Sequence, residues 1–165
     1  MKLPFDVNDD ALRDAFLSHE LIAALGGLTT AATARWGHMT AQQMVEHLLW
    51  AFECSTGRAR VDCPVPESER ERIKGFLYSN RPTPREFMNP ALESGLPPLR
   101  FADVEGARRA LGAEIGRFMD HVADRIDTLH VHPIFGPLGV DDWARTHYKH
   151  GHHHLLQFGL IEPPA

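Results

Sequence analysis

Residues 140–158 read VDDWARTHYKHGHHHLLQF and hold five of the chain's eleven histidines within the eight residues 147–154. An affinity tag is terminal, consecutive and structureless, whereas this run is interrupted and continues into LLQFGLIEPPA. Wound as a helix at about 100° per residue, the stretch places His147, His150 and His154 in one sector of roughly 60° beside Val140, Trp143 and Phe158. Those histidines share the apolar face. Arg145, Lys149 and His152 project to the opposite side, which the pattern marks as solvent-exposed, and His153 lies at the border. Asp141 and Asp142 in the first turn complement the helix dipole. The stretch is therefore predicted to be an amphipathic last helix whose inward stripe carries imidazoles.

Three further stretches have helical patterning. From Asn8 to Leu25, acidic Asp9 and Asp10 stand in the first turn, Leu17, Leu21 and Leu25 recur at helical spacing, and Gly26-Gly27 ends the run. From Thr40 to Gly57, Thr40 and Gln43 have capping-box spacing ahead of AQQMVEHLLWAFECS. From Asp103 to Asp124, Val104, Ala107, Leu111, Ile115, Phe118 and Val122 repeat at three and four residues against Arg108, Arg109, Glu114, Arg117 and Asp120. Glu67 to Tyr78 suits a short, highly charged helix, whereas Arg81 to Pro98 carries five prolines and reads as a long loop, a place where function or mobility is common. His132 to Gly139, HPIFGPLG, reads as a turn-rich connection. No run alternates convincingly as a strand. The expected fold is all-α, an antiparallel four-helix bundle with a long Pro-rich loop between the second and third long helices.

At 165 residues and 43% hydrophobic content the chain suits one domain, 1–165, with a single core. A net charge of -5, with basic and acidic residues intermixed as in ESERERIK, argues against nucleic acid as a partner. The most apolar early run, Leu21 to Leu28, is far shorter than the roughly 20 residues of a membrane span. Cys54 and Cys63 form neither a disulfide framework nor a zinc-knuckle pair. The expectation is a soluble, cytoplasmic protein with no membrane partner.

His150 and His154 are spaced i and i+4, which stacks two imidazoles within reach of one divalent ion. The pair alone is weak, because histidine-rich runs produce it by chance and a buried, hydrogen-bonded histidine is as good a reading. His47 supplies a third candidate: Gln42, Glu46 and Glu53 define the polar side of its helix, and His47 lies away from them near Met44, Ala51 and Cys54. A core histidine bonded to Gln43 is the plainer account of His47 alone. Several inward imidazoles on two helices shift the balance toward one shared metal, which satisfies them all.

WGHMTAQQMVEHL, HPIFGPLGVDDW and HYKHGHHHLLQFG, in this order, resemble the DinB/YfiT-like superfamily of four-helix metalloenzymes, within it a subfamily known as a domain of unknown function. The superfamily pattern is one histidine on the second helix, HxxxH on the last, and a glutamine three residues on. It maps onto His47, His150, His154 and Gln157. Gly139 stands where a hydroxyl cap is usual, Gly151-His152 departs from the usual leucine and acidic residue, and His147 is an extra inward histidine, a proton carrier or core residue more than a fourth ligand. His38, His121 and His130 read as surface or packing residues, and His132 as a brace for the turn before Pro133.

Three neutral imidazoles leave an open position on zinc or nickel, where a bound water becomes a nucleophile near neutral pH. Gln43 and Gln157, each a turn from a ligand, are accessory candidates that fix a tautomer or hold substrate, and neither is a general base. No inward carboxylate has HExxH-type spacing. The resemblance implies a second chemistry, in which the metal activates a low-molecular-weight thiol. Cys54 is a candidate soft ligand or a packing residue. The expected activity is that of a metal-dependent, thiol-dependent transferase or hydrolase acting on a small molecule, against the alternative of a non-catalytic metal-binding or structural homodimer. The homodimer is implied by the resemblance, with Leu49 and Leu156 sitting off the inward faces of their helices.

Overall fold

The computed structural model describes residues 1–163. α1 (Asp10–Ala15), a π-helical turn (Phe16–Glu20) and α2 (Leu21–Leu25) run on as one rod, followed by α3 (Ala41–Ser55), α4 (Glu67–Lys74), a 3-10 turn (Gly75–Tyr78), a second 3-10 turn (Pro90–Leu92), α5 (Val104–Ala123), β1 (His130–His132), β2 (Gly136–Leu138) and α6 (Val140–Gln157). Among the described residues, none of these helices is long and apolar enough to cross a membrane.

The all-α four-helix bundle is thus corrected: among the described residues there are five helices, counting the rod as one, and a two-stranded antiparallel sheet. The sheet lies in the stretch expected to be mere turn. His130 pairs with Leu138 and His132 with Gly136, while Val131 and Pro137 face outward. Strands of three residues give too few alternations to stand out in a sequence. What makes them is the turn between them, where Gly136 adopts a left-handed φ of 74° and His132 Nδ1 accepts the backbone N–H of Ile134 at 3.1 Å. Trp143 Nε1 then donates to the His130 carbonyl at 3.1 Å and ties the hairpin to α6.

Helix starts follow local chemistry. Asp9 caps α1 through Leu12 N–H, Asp103 caps α5 through Gly106 N–H, and Thr40 with Gln43 forms a complete capping box on α3. α6 begins at Gly139 without a side-chain cap, leaving Asp141 and Asp142 to meet its exposed N–H groups electrostatically. Trp143, Tyr148, Phe16, Phe52 and Phe118 are the largest fully buried side chains, and they come from the rod, α3, α5 and α6.

Gly151 explains one departure in the histidine run. A Cβ there would lie 2.8 Å from Phe16 Cε1 and 3.3 Å from Leu21 Cδ1, so the rod approaches α6 too closely for any side chain. The π turn brings Phe16, Leu17 and Leu21 all to complete burial along this contact.

That contact also overturns an expectation. Lys149 and His152, assigned to a solvent-exposed face, are each only 3% exposed. α6 is covered on both sides, with His152 stacked on Phe16 at 4.4 Å and edge-on to Phe5, and Lys149 Nζ lying 3.8 Å from the Phe76 ring. A helical wheel shows polarity, and it cannot show what a distant segment lays over that polarity. The same holds for α3: Glu46 and Glu53 are buried because residues 100 and 101 bring partners to them, and Leu49, expected off the inward face, is 2% exposed. Leu156 is half-buried.

Candidate metal centre

Nε2 atoms of His47, from α3, and of His150 and His154, from α6, converge with all three lying within 4.8 Å of one another. His47 Nε2 is 2.9 Å from His150 Nε2, which is 3.0 Å from His154 Nε2. Their ring planes meet at 87° and 68°, and the short Nε2···Nε2 distances show that the nitrogens converge on a common centre.

Gln157 fixes the protonation of one member. Its Nε2 donates to the Trp36 carbonyl at 2.9 Å, which turns Oε1 toward His154 Nδ1 at 2.8 Å. An amide oxygen only accepts, so His154 carries its proton on Nδ1 and presents a lone pair at Nε2. His150 Nε2 then faces two nitrogens with at most one proton to give. If it donates to His154, it has no lone pair left for His47; if it accepts from His47, it meets His154 lone pair to lone pair at 3.0 Å. Either way the one proton cannot make a full hydrogen bond across both part-buried N···N contacts, and a cation among three lone pairs removes the conflict.

Burial and the neighbouring imidazoles favour the neutral rings that ligation requires. Burial, helped by the charge of His153, lowers His47 to about 4. Burial and the facing histidines hold His150 and His154 well below the ordinary imidazole value. A zinc ion with Zn–N bonds of about 2.0–2.1 Å places tetrahedral ligand nitrogens roughly 3.3 Å apart, so the 2.9 and 3.0 Å contacts of His150 would open by a few tenths of an ångström to take such an ion.

The other candidates separate. Gln43 is occupied by the capping box, where its Oε1 accepts the Thr40 N–H at 2.9 Å. His147 lies in the core and not with the three: its Nε2 is 2.8 Å from Ser55 Oγ and its ring is stacked 3.7 Å from Phe52. Ser55 in turn donates to the Phe52 carbonyl, and this enclosed pair has no free face for a substrate. Cys54 is buried among apolar residues, outside the histidine group, and burial with the Glu53 charge pushes its thiol up to about 12. Among the described residues the group contains no carboxylate.

Sequence reasoning missed the residues around the centre. Trp50 stacks on His47 at 6.0 Å, and His153 lies 5.0 Å from His154 with Trp36 edge-on to it. Trp50 was open to detection, being three residues beyond His47 and so one turn away on the helix. Trp36 was not, because it reaches the site across 121 residues of chain.

Since Gln157 sets the His154 tautomer, replacing it by leucine should weaken zinc affinity about 10- to 100-fold in a competitive chelator titration while leaving helical content intact. Unchanged affinity would show that the tautomer is set elsewhere. No family model, curated protein or solved structure matches the chain.

Proposed function

We propose that His47, His150 and His154 hold one divalent ion, zinc or nickel, and that the protein is a metal-dependent enzyme using a low-molecular-weight thiol to modify a small molecule. The observation that carries this reading is the meeting of three Nε2 atoms whose mutual contacts cannot all be full hydrogen bonds. The sequence resemblance to the DinB/YfiT-like superfamily supports it from a separate direction.

An ion bound by three imidazoles keeps a position open, where it lowers the pKa of a thiol or water. Thiol chemistry is favoured over hydrolysis by the surrounding residues. Activating water for hydrolysis usually enlists a carboxylate base, and the nearby ones are engaged: Glu46 accepts the N–H groups of Arg100 and Phe101, and Glu53 holds the Arg100 guanidinium through two bonds. A thiol needs no such base once its proton has left. His47, His150 and His154 position the ion, and Gln157 keeps His154 in its ligating tautomer. Free Cys54 and Cys63 suit a reducing compartment, and we place the protein in the cytoplasm.

Cobalt substitution tests the reading. Adding 2-mercaptoethanol to the cobalt protein should change its visible spectrum, and His47→Ala should weaken the response as the ion is lost. A cobalt spectrum indifferent to thiols and small anions would mark a closed site, and the protein would then be a structural metal binder. We also propose a homodimer, on the resemblance alone now that Leu49 is buried. Light scattering should give twice the chain mass, and a monomer at high micromolar concentration would remove it.

A further inference from the structure

Trp50 has two faces to account for. One side of its indole stacks on His47, and the residue also lines a cavity of about 430 Å3 whose opposite wall is the loop segment 91–98. That volume falls within the roughly 300–1,000 Å3 of small-molecule sites. Leu92, Leu96, Pro97 and Pro98 supply apolar surface, and Ser94 with the loop backbone supplies hydrogen-bonding groups. None of the lining residues is charged.

The wall is built, since both ends of the Pro-rich loop are tied to the helices that carry the histidines. At its start, Lys149 Nζ donates to the carbonyls of Ser79 at 2.5 Å and Arg81 at 2.6 Å. At its end, the Glu46 carboxylate accepts the N–H groups of Arg100 at 2.7 Å and Phe101 at 3.2 Å. Lys149 immediately precedes His150, and Glu46 immediately precedes His47. The two anchors therefore register the loop against the ligands themselves.

The charges on the helix side of the cavity are spent on each other, and Glu93, the one charged residue of segment 91–98, is exposed and does not line it. Arg100 pairs with Glu53 at 2.7 and 2.8 Å, and Glu46 is saturated by backbone N–H groups and Gln42. Arg85, which makes no ion pair among the described residues, lies over Trp36 at 4.6 Å, on the His153 side of the centre and not against Trp50.

We propose that the cavity between Trp50 and residues 91–98 is the substrate pocket of the three-histidine centre, and that it takes an uncharged molecule with an aromatic or branched alkyl body and hydrogen-bonding groups. The proposal rests on the metal reading above. No lining residue offers a charged group a partner, whereas a neutral ring stacks on Trp50, the residue that itself stacks on His47.

The test uses fluorine NMR with two probes of similar size, neutral 4-fluoroanisole and anionic 4-fluorobenzoate. Binding is read as a saturable fluorine shift with the zinc protein, and proximity to the centre as the extra relaxation seen with the cobalt protein. The neutral probe should saturate and be relaxed by cobalt, and the carboxylate should bind more weakly. Leu96→Asp should weaken the neutral probe by about ten-fold or more, with the cobalt spectrum unchanged. Ala91→Asp, at an exposed lining position, serves as the second variant should Leu96→Asp fail to fold. Tighter binding of the carboxylate, unaltered binding in both variants, or saturable binding without relaxation by bound cobalt would each overturn the assignment. Protein that takes up no cobalt would instead overturn the metal reading, and this pocket's role with it.

Discussion

Replacing His150 and His154 together by alanine should reduce bound metal from one ion per chain to almost none by elemental analysis, with helical content preserved. The double variant leaves His47 as a lone imidazole, and a single neutral donor does not hold a divalent ion against water. The fold should survive because both positions contribute little to the apolar core, which is built by Phe16, Leu17, Phe52, Phe118, Trp143 and their neighbours. Stoichiometric metal in the folded double variant would sink the assignment. His152→Ala makes the contrast. It should keep its metal, since the ring lies among Phe5, Phe16 and Tyr148, yet lose stability by about 2–4 kcal/mol through the cavity left beside Phe16. One histidine run thus serves two ends: some members should move metal content and others the melting temperature.

That division was only half legible in the sequence. The i, i+4 spacing of His150 and His154 and the inward placement of His47 follow from helix geometry, because the side of each helix that carries these histidines also carries its apolar residues. The other face of α6 misled, since Lys149 and His152 are polar and yet buried. Their covering elements lie far off in sequence: Phe5 and Phe16 reach His152 from the chain's beginning, and the carbonyls of Ser79 and Arg81 reach Lys149 from the loop. Periodicity within one helix contains nothing about such partners. Glu46 and Glu53 repeat the point, looking like a solvated stripe until Arg100 and the backbone at 100–101 are laid against them. The hairpin at His130–Leu138 escaped for a different reason: three-residue strands held by one glycine turn and one tryptophan N–H leave almost no periodic signal. The long helices and the facing histidines are local properties, whereas the pocket wall and the covered face of α6 are tertiary ones.

Acid should unfold the metal-free protein well above the pH at which most proteins fail. Three buried histidines outside the ligand trio are held neutral by burial: His132 is lowered to about 3, His152 to about 4, and His147 well below its ordinary value, with a neighbouring His132 adding to its shift. His147 Nδ1 and His152 Nε2 have no hydrogen-bond partner among the described residues, so a proton placed there would have nothing to neutralise it. In the unfolded chain each imidazole regains a pKa near 6.5. The unfolded state therefore binds more protons than the native state between about 6.5 and the folded values, and stability falls as pH falls through that window. Above the window the groups cost nothing. At about pH 5 His132 and His152 each contribute a loss of ~2 kcal/mol, so the two together remove roughly 4 kcal/mol of the 5–15 kcal/mol typical of a folded domain, and His147 adds to the loss in the same direction.

Guanidinium unfolding of the metal-free protein at about pH 7.5 and pH 5 measures the difference directly. His152→Phe should fold, because the ring sits among aromatics, and should lose close to one proton from the pH slope. Metal-loaded protein should fail in the same window, since three imidazoles must be proton-free to hold the ion and acid releases it as it unfolds the chain. Stability that stays flat between pH 7.5 and 5 would mean that these imidazoles find partners on protonation, and that the covered face of α6 admits water or charge.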